Sequence, residues 1–369
     1  MKILYVITST EQGGAEAALL SLAKETAKEH TVSVLCLRPL GKVATQLQQA
    51  GIPVKSLEMK GNFPYKTIAK IKQEIASFKP DIVHAMLLRA IEFTRVAIAG
   101  THIPLVTTPH FDWSKKSFLL RLLDKALKPM DTLSVAESMS TAKYLVEQQK
   151  YAKDKVYFLP NSVDRQLFSP DKQKRELLRE KYGFHVKTVF MSVARLAPEK
   201  DPLTLVKAFR NVNRQYPQTQ LVLVGDGAER EKIELYVQES KMTESVFLAG
   251  EQHNVHEWLN MADVFVLPSL EESLPLALLE ALSMGLPCIV SKVGDMPLWV
   301  EHGKNGYVFC PQDTTLLSCL MSELASNQLL RQKMSKFSAE KSSQMTVAPQ
   351  KYQQIYQQIE QKFSRENNA

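Results

Sequence analysis

Cysteine is sparse in this chain, and long apolar runs are absent. Cys36, Cys288, Cys310 and Cys319 are scattered over 369 residues with no CxxC or CxxxC spacing. That argues against a disulfide framework or a thiolate metal site and suits idle thiols in a reducing compartment. No segment approaches the roughly 18 consecutive apolar residues of a membrane span. The opening MKILYVITST has too short an apolar run for a signal peptide and reads as a first strand. The expected location is therefore the cytoplasm. There is no GxxxxGK[ST], which excludes P-loop phosphoryl transfer. Zinc-finger spacing and aromatic-rich RNA-binding motifs are missing too, so nucleic acid is not an expected partner.

Charge is present, but unevenly. The formal net charge is +7, and residues 1–165 hold 23 Lys and Arg against 15 Asp and Glu. The remainder of the chain is close to neutral. Such asymmetry fits a solvated surface, an anionic membrane face or an anionic substrate.

Short β-rich runs alternate with helical patterns along the whole length. KILYVI (2–7), TVSVLCL (31–37), VKSLEM (54–59), DIVHAM (81–86), LVTTPH (105–110), TLSVA (132–136) and VYFLP (156–160) read as strands. The pattern restarts after NSVDRQLFSPDKQKRE with TVFMSVA, QLVLVGD, VFLAG, VFVLPS, PCIVSK and GYVF. Strand–helix alternation predicts parallel sheets covered on both faces. The expectation is an α/β protein of two Rossmann-like, doubly wound domains facing across a cleft. Their boundaries fall at 1–165 and 166–345, followed by a C-terminal helix over 346–369. That helix places Tyr352, Ile355, Tyr356 and Ile359 on one face, for packing against the first domain.

In doubly wound sheets, ligands gather at the carboxyl ends of the strands. Gly13 and Gly14 follow the first strand and open a helix, as a turn or as an approach for an anion. His84 and His110 end two further strands. ARLAPEKD (194–201) places Arg195 and Lys200 just past a strand, where two cations suit a diphosphate. VGDGAERE has Gly225 and Gly227 but Arg230 at the third glycine place, a weak match to a dinucleotide fingerprint. His253 and His256 have H-x-x-H spacing but no evident third ligand.

The richest stretch is EESLPLALLEALSMG. Ser269 and Glu272 fit a capping box, but Pro275 would then lie inside the helix, where it is costly. A helix beginning near Leu274 places Pro275 in its first turn. Glu272 then precedes the helix and Glu280 lies within it, among leucines on nearly every side. A buried carboxylate needs donors, and a ribose diol supplies two.

These residues resemble the E-x7-E region of retaining glycosyltransferases of family 4, which have the GT-B fold. GGAE resembles that family's glycine loop, TTPHFDW its histidine loop and PNSVD its NGVD. The resemblance spans nearly the whole chain. It implies a nucleotide-diphosphate-sugar donor, UDP-linked by family weight, and neither cofactor nor metal. It places Arg195 and Lys200 on the diphosphate, Glu280 on the ribose and Glu272 at the sugar hydroxyls. Ser273, Leu274, Pro275 and Leu276 would face sugar and phosphates through the turn, and Gly14 would approach the phosphate. His110 would stand near the reacting carbon, with Glu272 as its partner in catalysis. Ser273 and Pro275 replace glycines found in many members, and Ser162 replaces the glycine of NGVD. The expected acceptor is a glycan or a polyprenyl-diphosphate-linked glycan, in bacterial surface polysaccharide synthesis, the lipid-linked form being favoured by the basic first half of the chain and one helical stretch. KKSFLLRLLDKALKPM (115–130), with Phe118, Leu119, Leu122, Leu123, Ala126 and Leu127 among basic residues, reads as a membrane-lying or core-packed helix. The competing readings are an NAD(P)-dependent oxidoreductase, a nucleotide-sugar hydrolase or epimerase, and a non-catalytic nucleotide-sugar-binding subunit.

Overall fold

The computed structural model describes residues 1–11, 13–61, 64–110, 118–185, 187–345 and 348–367. The chain divides into two compact units, one of Met1–Ser162 with the C-terminal helix and one of Val163–Met345.

The first unit holds β1 (Lys2–Ile7), β2 (Thr31–Cys36), β3 (Val54–Ser56), β4 (Ile82–Met86), β5 (Leu105–Thr108), β6 (Leu133–Ala136) and β7 (Val156–Phe158). They form one sheet in the order β3-β2-β1-β4-β5-β6-β7, and every pairing is parallel. Helices cover both faces, and β1 shows why its sequence is apolar throughout. Ile3, Tyr5 and Ile7 enter one core cluster while Leu4 and Val6 enter the other. Each fully buried aliphatic of this kind contributes roughly 1.5–3 kcal/mol relative to exposure.

The second unit repeats the plan with β8 (Thr188–Val193), β9 (Thr219–Val224), β10 (Val246–Gly250), β11 (Val264–Leu267), β12 (Cys288–Ser291) and β13 (Gly306–Phe309). The order is β10-β9-β8-β11-β12-β13. Val189 and Met191 of β8 face one cluster and Phe190 the other. All thirteen strands match a run expected from sequence, most being trimmed by one to three residues at the ends. The helix Leu276–Ser283 starts later than expected, and Pro275 is its extended N-cap residue rather than part of its first turn.

The C-terminal helix Ala348–Asn367 belongs to the first unit. Tyr352, Ile355, Tyr356 and Ile359 are buried in the cluster that holds Ile3, Tyr5 and Leu19. A polar chain runs beneath them. Tyr5 Oη lies 2.9 Å from Thr26 Oγ1 and 3.2 Å from Tyr356 Oη. His84 reaches Tyr356 Oη with Nδ1 at 2.6 Å and Thr108 Oγ1 with Nε2 at 2.8 Å. Thr108 Oγ1 is 3.1 Å from Tyr352 Oη.

A second buried network fixes the helix Phe118–Leu127. Arg95, 1% exposed, grips Asp131 with Nε at 2.8 Å and Nη2 at 2.6 Å, and also pairs with Asp124. Tyr151 Oη donates to Asp131 at 2.8 Å and Thr107 Oγ1 does so at 3.1 Å. Asp124 is therefore the inward side of this helix, while Leu122 and Leu123 are 56% and 46% exposed. Lys128 is tied down, donating to the carbonyls of Gln149 and Lys150 at 2.7 and 2.6 Å. Lys115 and Lys116 lie outside the described residues. Among the described residues no helix is long and apolar enough to cross a membrane.

Candidate functional site

In the second sheet the strand order reverses between β8 and β11, the point where a doubly wound sheet opens a ligand crevice. Arg195 and Lys200 follow β8, and Glu272 follows β11. The two loops are joined. Lys200 Nζ lies 2.5 Å from Glu272 Oε1, and Ser269 Oγ donates to the same oxygen at 2.9 Å. Leu270 N–H donates to the Glu199 carbonyl at 2.9 Å. Ser269 is thus a holder of Glu272, not the N-cap of a capping box. It is itself held, since Ser291 Oγ donates to its carbonyl.

Glycines set how closely these loops approach. A Cβ on Gly225 would collide with the Ala194 carbonyl, and one on Gly227 with the Leu196 carbonyl. Both have positive φ, and Leu196 N–H donates to the Asp226 carbonyl at 2.9 Å. The VGDG glycines are therefore accounted for by backbone packed against the Arg195 loop. Gly294 does the same for the carbonyls of Glu272 and Ser273, beside a 2.8 Å bond from Asp295 N–H to Ser273 O.

Arg195 stands out from this loop, 69% exposed, with Nη2 2.6 Å from Glu199 Oε1. Glu280 lies one turn inside the helix Leu276–Ser283. Burial alone pushes its carboxyl up to about 7. The first backbone bond of that helix is Leu278 N–H to Pro275 O, which leaves the Leu276 and Ala277 amides without an intrahelical acceptor. The structure brings Ser273, Pro275 and Leu276 together as a partly exposed turn. Leu274 turns its side chain into the core, so only its backbone is available there. His256 stacks edge-on to Phe168, ring centroids 6.2 Å apart.

In the first unit, Gly14 is the first residue of the helix Gly14–Thr26, after an extended Gly13. Thr10 braces that loop, its carbonyl accepting from Val43 N–H and its hydroxyl from Gly41 N–H, each at 2.9 Å. His110 lies two residues past β5 with φ 45°, a left-handed backbone that costs a non-glycine residue about 1–3 kcal/mol. Its Nε2 is shut off from solvent with no partner among the described residues, and burial lowers its pKa to about 4. His110 lines a cavity of about 30 Å³ with Ser21, Met86, Asn161 and Tyr352, space for one or two waters. Phe111 and Asp112 lie outside the described residues. His84 is not at a ligand-facing position. It is fully buried with both ring nitrogens satisfied, and burial, with His110 nearby, lowers its pKa to about 3. Sequence reasoning read Ser269 only as a capping-box residue and passed over Glu199. Their loop positions were legible, but their partners were not.

Comparison with known proteins follows the same division. The family model for glycosyl transferases group 1 matches residues 174–341, and that for glycosyltransferase family 4 matches residues 12–167. EpsF of Bacillus subtilis (strain 168) is 26% identical over 302 residues, 79% of this chain and 79% of its own. The UDP-Gal:alpha-D-GlcNAc-diphosphoundecaprenol alpha-1,3-galactosyltransferase of Escherichia coli is 35% identical over 158 residues, 42% of this chain and 41% of its own. The crystal structure of Anabaena HepE in complex with UDP-glucose aligns with a TM-score of 0.86 at 22% identity, covering 97% of this chain and 99% of that one. With both units matched, the chain belongs to the group 1, family 4 glycosyltransferases and has their GT-B fold of two Rossmann-like domains.

Proposed function

We infer that this glycosyltransferase moves a sugar from a nucleoside-diphosphate donor, UDP-linked, to a lipid-linked glycan, with retention at the anomeric carbon. The observation that carries the reading is Glu280, a carboxyl pushed up to about 7 by burial, set behind the open amides of Leu276 and Ala277. A ribose diol gives Glu280 its two donors, and the helix start takes phosphate charge. Arg195 and Lys200 lie on the neighbouring loop and neutralise the diphosphate as it leaves. No metal is needed in this scheme. Glu272, with Oε1 held by Ser269 and Lys200, offers Oε2 to a sugar hydroxyl. The departing phosphate accepts the acceptor's proton on the same face as the sugar leaves, which retains configuration. His110, neutral at pH 7, is the first unit's candidate for the reaction centre.

For the acceptor, the support is the E. coli relative, whose name specifies a diphosphoundecaprenol substrate, and the exposed Leu122 and Leu123 on a helix with Lys125. These support a reading in which the enzyme works at the inner face of a bacterial membrane, in surface polysaccharide synthesis. The site also accounts for its parts better than a nicotinamide enzyme does, because Gly225 and Gly227 are consumed by loop packing.

The test is turnover of UDP-sugars with a polyprenyl-diphosphate-linked acceptor, with and without EDTA, and product anomers assigned by NMR. Arg195→Ala and Glu280→Ala are expected to lose at least tenfold in kcat/KM. Near-normal rates in both variants would overturn the assignment. An inverted product would overturn the retaining step alone.

A further inference from the structure

Both cations of the proposed donor loop are paired with carboxylates of this chain. Lys200 holds Glu272, and Arg195 holds Glu199. The two carboxylates are not equivalent. Glu272 is anchored by Ser269 and largely buried, whereas Glu199 has Arg195 as its ion-pair partner and is 33% exposed. Its backbone is fixed, because its carbonyl accepts from Leu270 N–H. A diphosphate that reaches Arg195 therefore meets a carboxylate that cannot be carried away with the loop.

We propose that Glu199 drives out the spent nucleoside diphosphate, holding Arg195 when the site is empty and repelling the diphosphate when it is full. This rests on the donor-site reading above and adds a residue to it. Two effects of Glu199 oppose each other, and their sizes decide the outcome. As an exposed i,i+4 pair, it orders the Arg195 side chain, an effect of about twofold on binding at this kind of site. As a fixed negative charge, it would stand about 5 Å from the nearest oxygen of a phosphate bound on the free edge of the guanidinium. One unit charge at that distance is felt about fourfold in water-like surroundings, and more where the site is half dry. A nucleoside diphosphate carries at least two such charges, so repulsion wins. Glu199 is ionised throughout the working range. Burial pushes its carboxyl up, but a backbone N–H, Arg195 and Lys200 outweigh that and hold it below the ordinary value. The donor, esterified at its outer phosphate, carries less charge than the free diphosphate product. Glu199 therefore discriminates against product more than against substrate.

The experiment is UDP binding by calorimetry and UDP dissociation by stopped flow for wild type, Glu199→Gln and Glu199→Ala. Both variants are expected to bind UDP about four- to tenfold tighter, with dissociation slowed by the same factor and association nearly unchanged. The gain should shrink in about 0.5 M salt, where charges more than a few Å apart are screened. Melting temperatures serve as the fold control. Equal or weaker UDP binding by Glu199→Gln overturns the role of Glu199 and leaves the donor site standing. Failure of the wild type to bind either UDP or GDP overturns the donor site, and this proposal with it.

Discussion

Tyr356 and His84 are joined across 272 positions of sequence by a 2.6 Å contact between a phenol oxygen and Nδ1. The contact holds the C-terminal helix to the middle of the first sheet. Removing the hydroxyl by Tyr356→Phe leaves His84 Nδ1 short of a partner and weakens the Tyr5 link. The expected loss is about 1–3 kcal/mol, read as a shifted denaturation midpoint with an unchanged slope.

The same histidine gives an acid limit to stability. Its folded pKa, about 3, lies below the unfolded value of 6.5, so the unfolded chain binds more protons between those values. Stability is therefore full above about pH 6.5 and falls as pH drops towards 3. The slope from one group is at most about 1.4 kcal/mol per pH unit. His110, lowered to about 4, adds to it over a narrower window. The acid side of a melting-temperature profile should be shallower in His84→Gln than in wild type.

Asp131 satisfies a guanidinium that is itself 1% exposed. Asp131→Ala strips the guanidinium of its two-point partner and leaves it Asp124 as its remaining carboxylate, with an expected cost of about 3–5 kcal/mol. Arg95→Met together with Asp124→Leu and Asp131→Leu should be far better tolerated, since all three buried charges then leave together. Urea unfolding of both variants checks the order.

On the proposed reading of the donor site, Glu280 should make donor affinity depend on pH. The free carboxyl is half protonated near pH 7. A ribose diol donating to it favours the ionised form, so binding expels a proton. Affinity for UDP-glucose, whose diphosphate does not titrate here, should rise with pH from 5.5 and level off above about 8. Glu280→Gln should bind more weakly and show no slope in calorimetry.

Leu122 and Leu123 contribute little to the fold, being exposed on the helix that Asp124 anchors. Leu122→Ser with Leu123→Ser should leave the melting temperature within about 1–2 °C of wild type. Co-sedimentation with anionic liposomes should fall several-fold. Unchanged sedimentation would remove the leucines from the membrane contact.

Much of this could be read in advance because it is local. The strands are β-branched apolar runs, buried on both faces and bounded by turns, so period and length suffice. Glu272, Pro275 and Glu280 were placed by what a proline permits at a helix start, and the observed start, Leu276, lies two residues beyond the expected Leu274. The face of the helix Phe118–Leu127 was different. Its pattern gave six apolar positions, yet the side turned inward carries Asp124, because Arg95 lies 29 residues away in sequence and beside it in space. His84 looked like a ligand at a strand end for the same reason. Its partners, Thr108 and Tyr356, come from other elements, and no window of sequence contains all three.

The first unit is completed by the last helix of the chain. Its sheet is made from residues up to Phe158, but Tyr352, Ile355 and Tyr356 fill part of its core and satisfy His84. Chains grow at about 5–20 residues per second, so roughly 10–40 s separate synthesis of that sheet from arrival of its closing helix. During that interval the second unit emerges whole and can fold first. Closure of the first core therefore waits until the second unit has been made, and a chain lacking Ala348–Asn367 would have a second unit able to fold and a first unit left open.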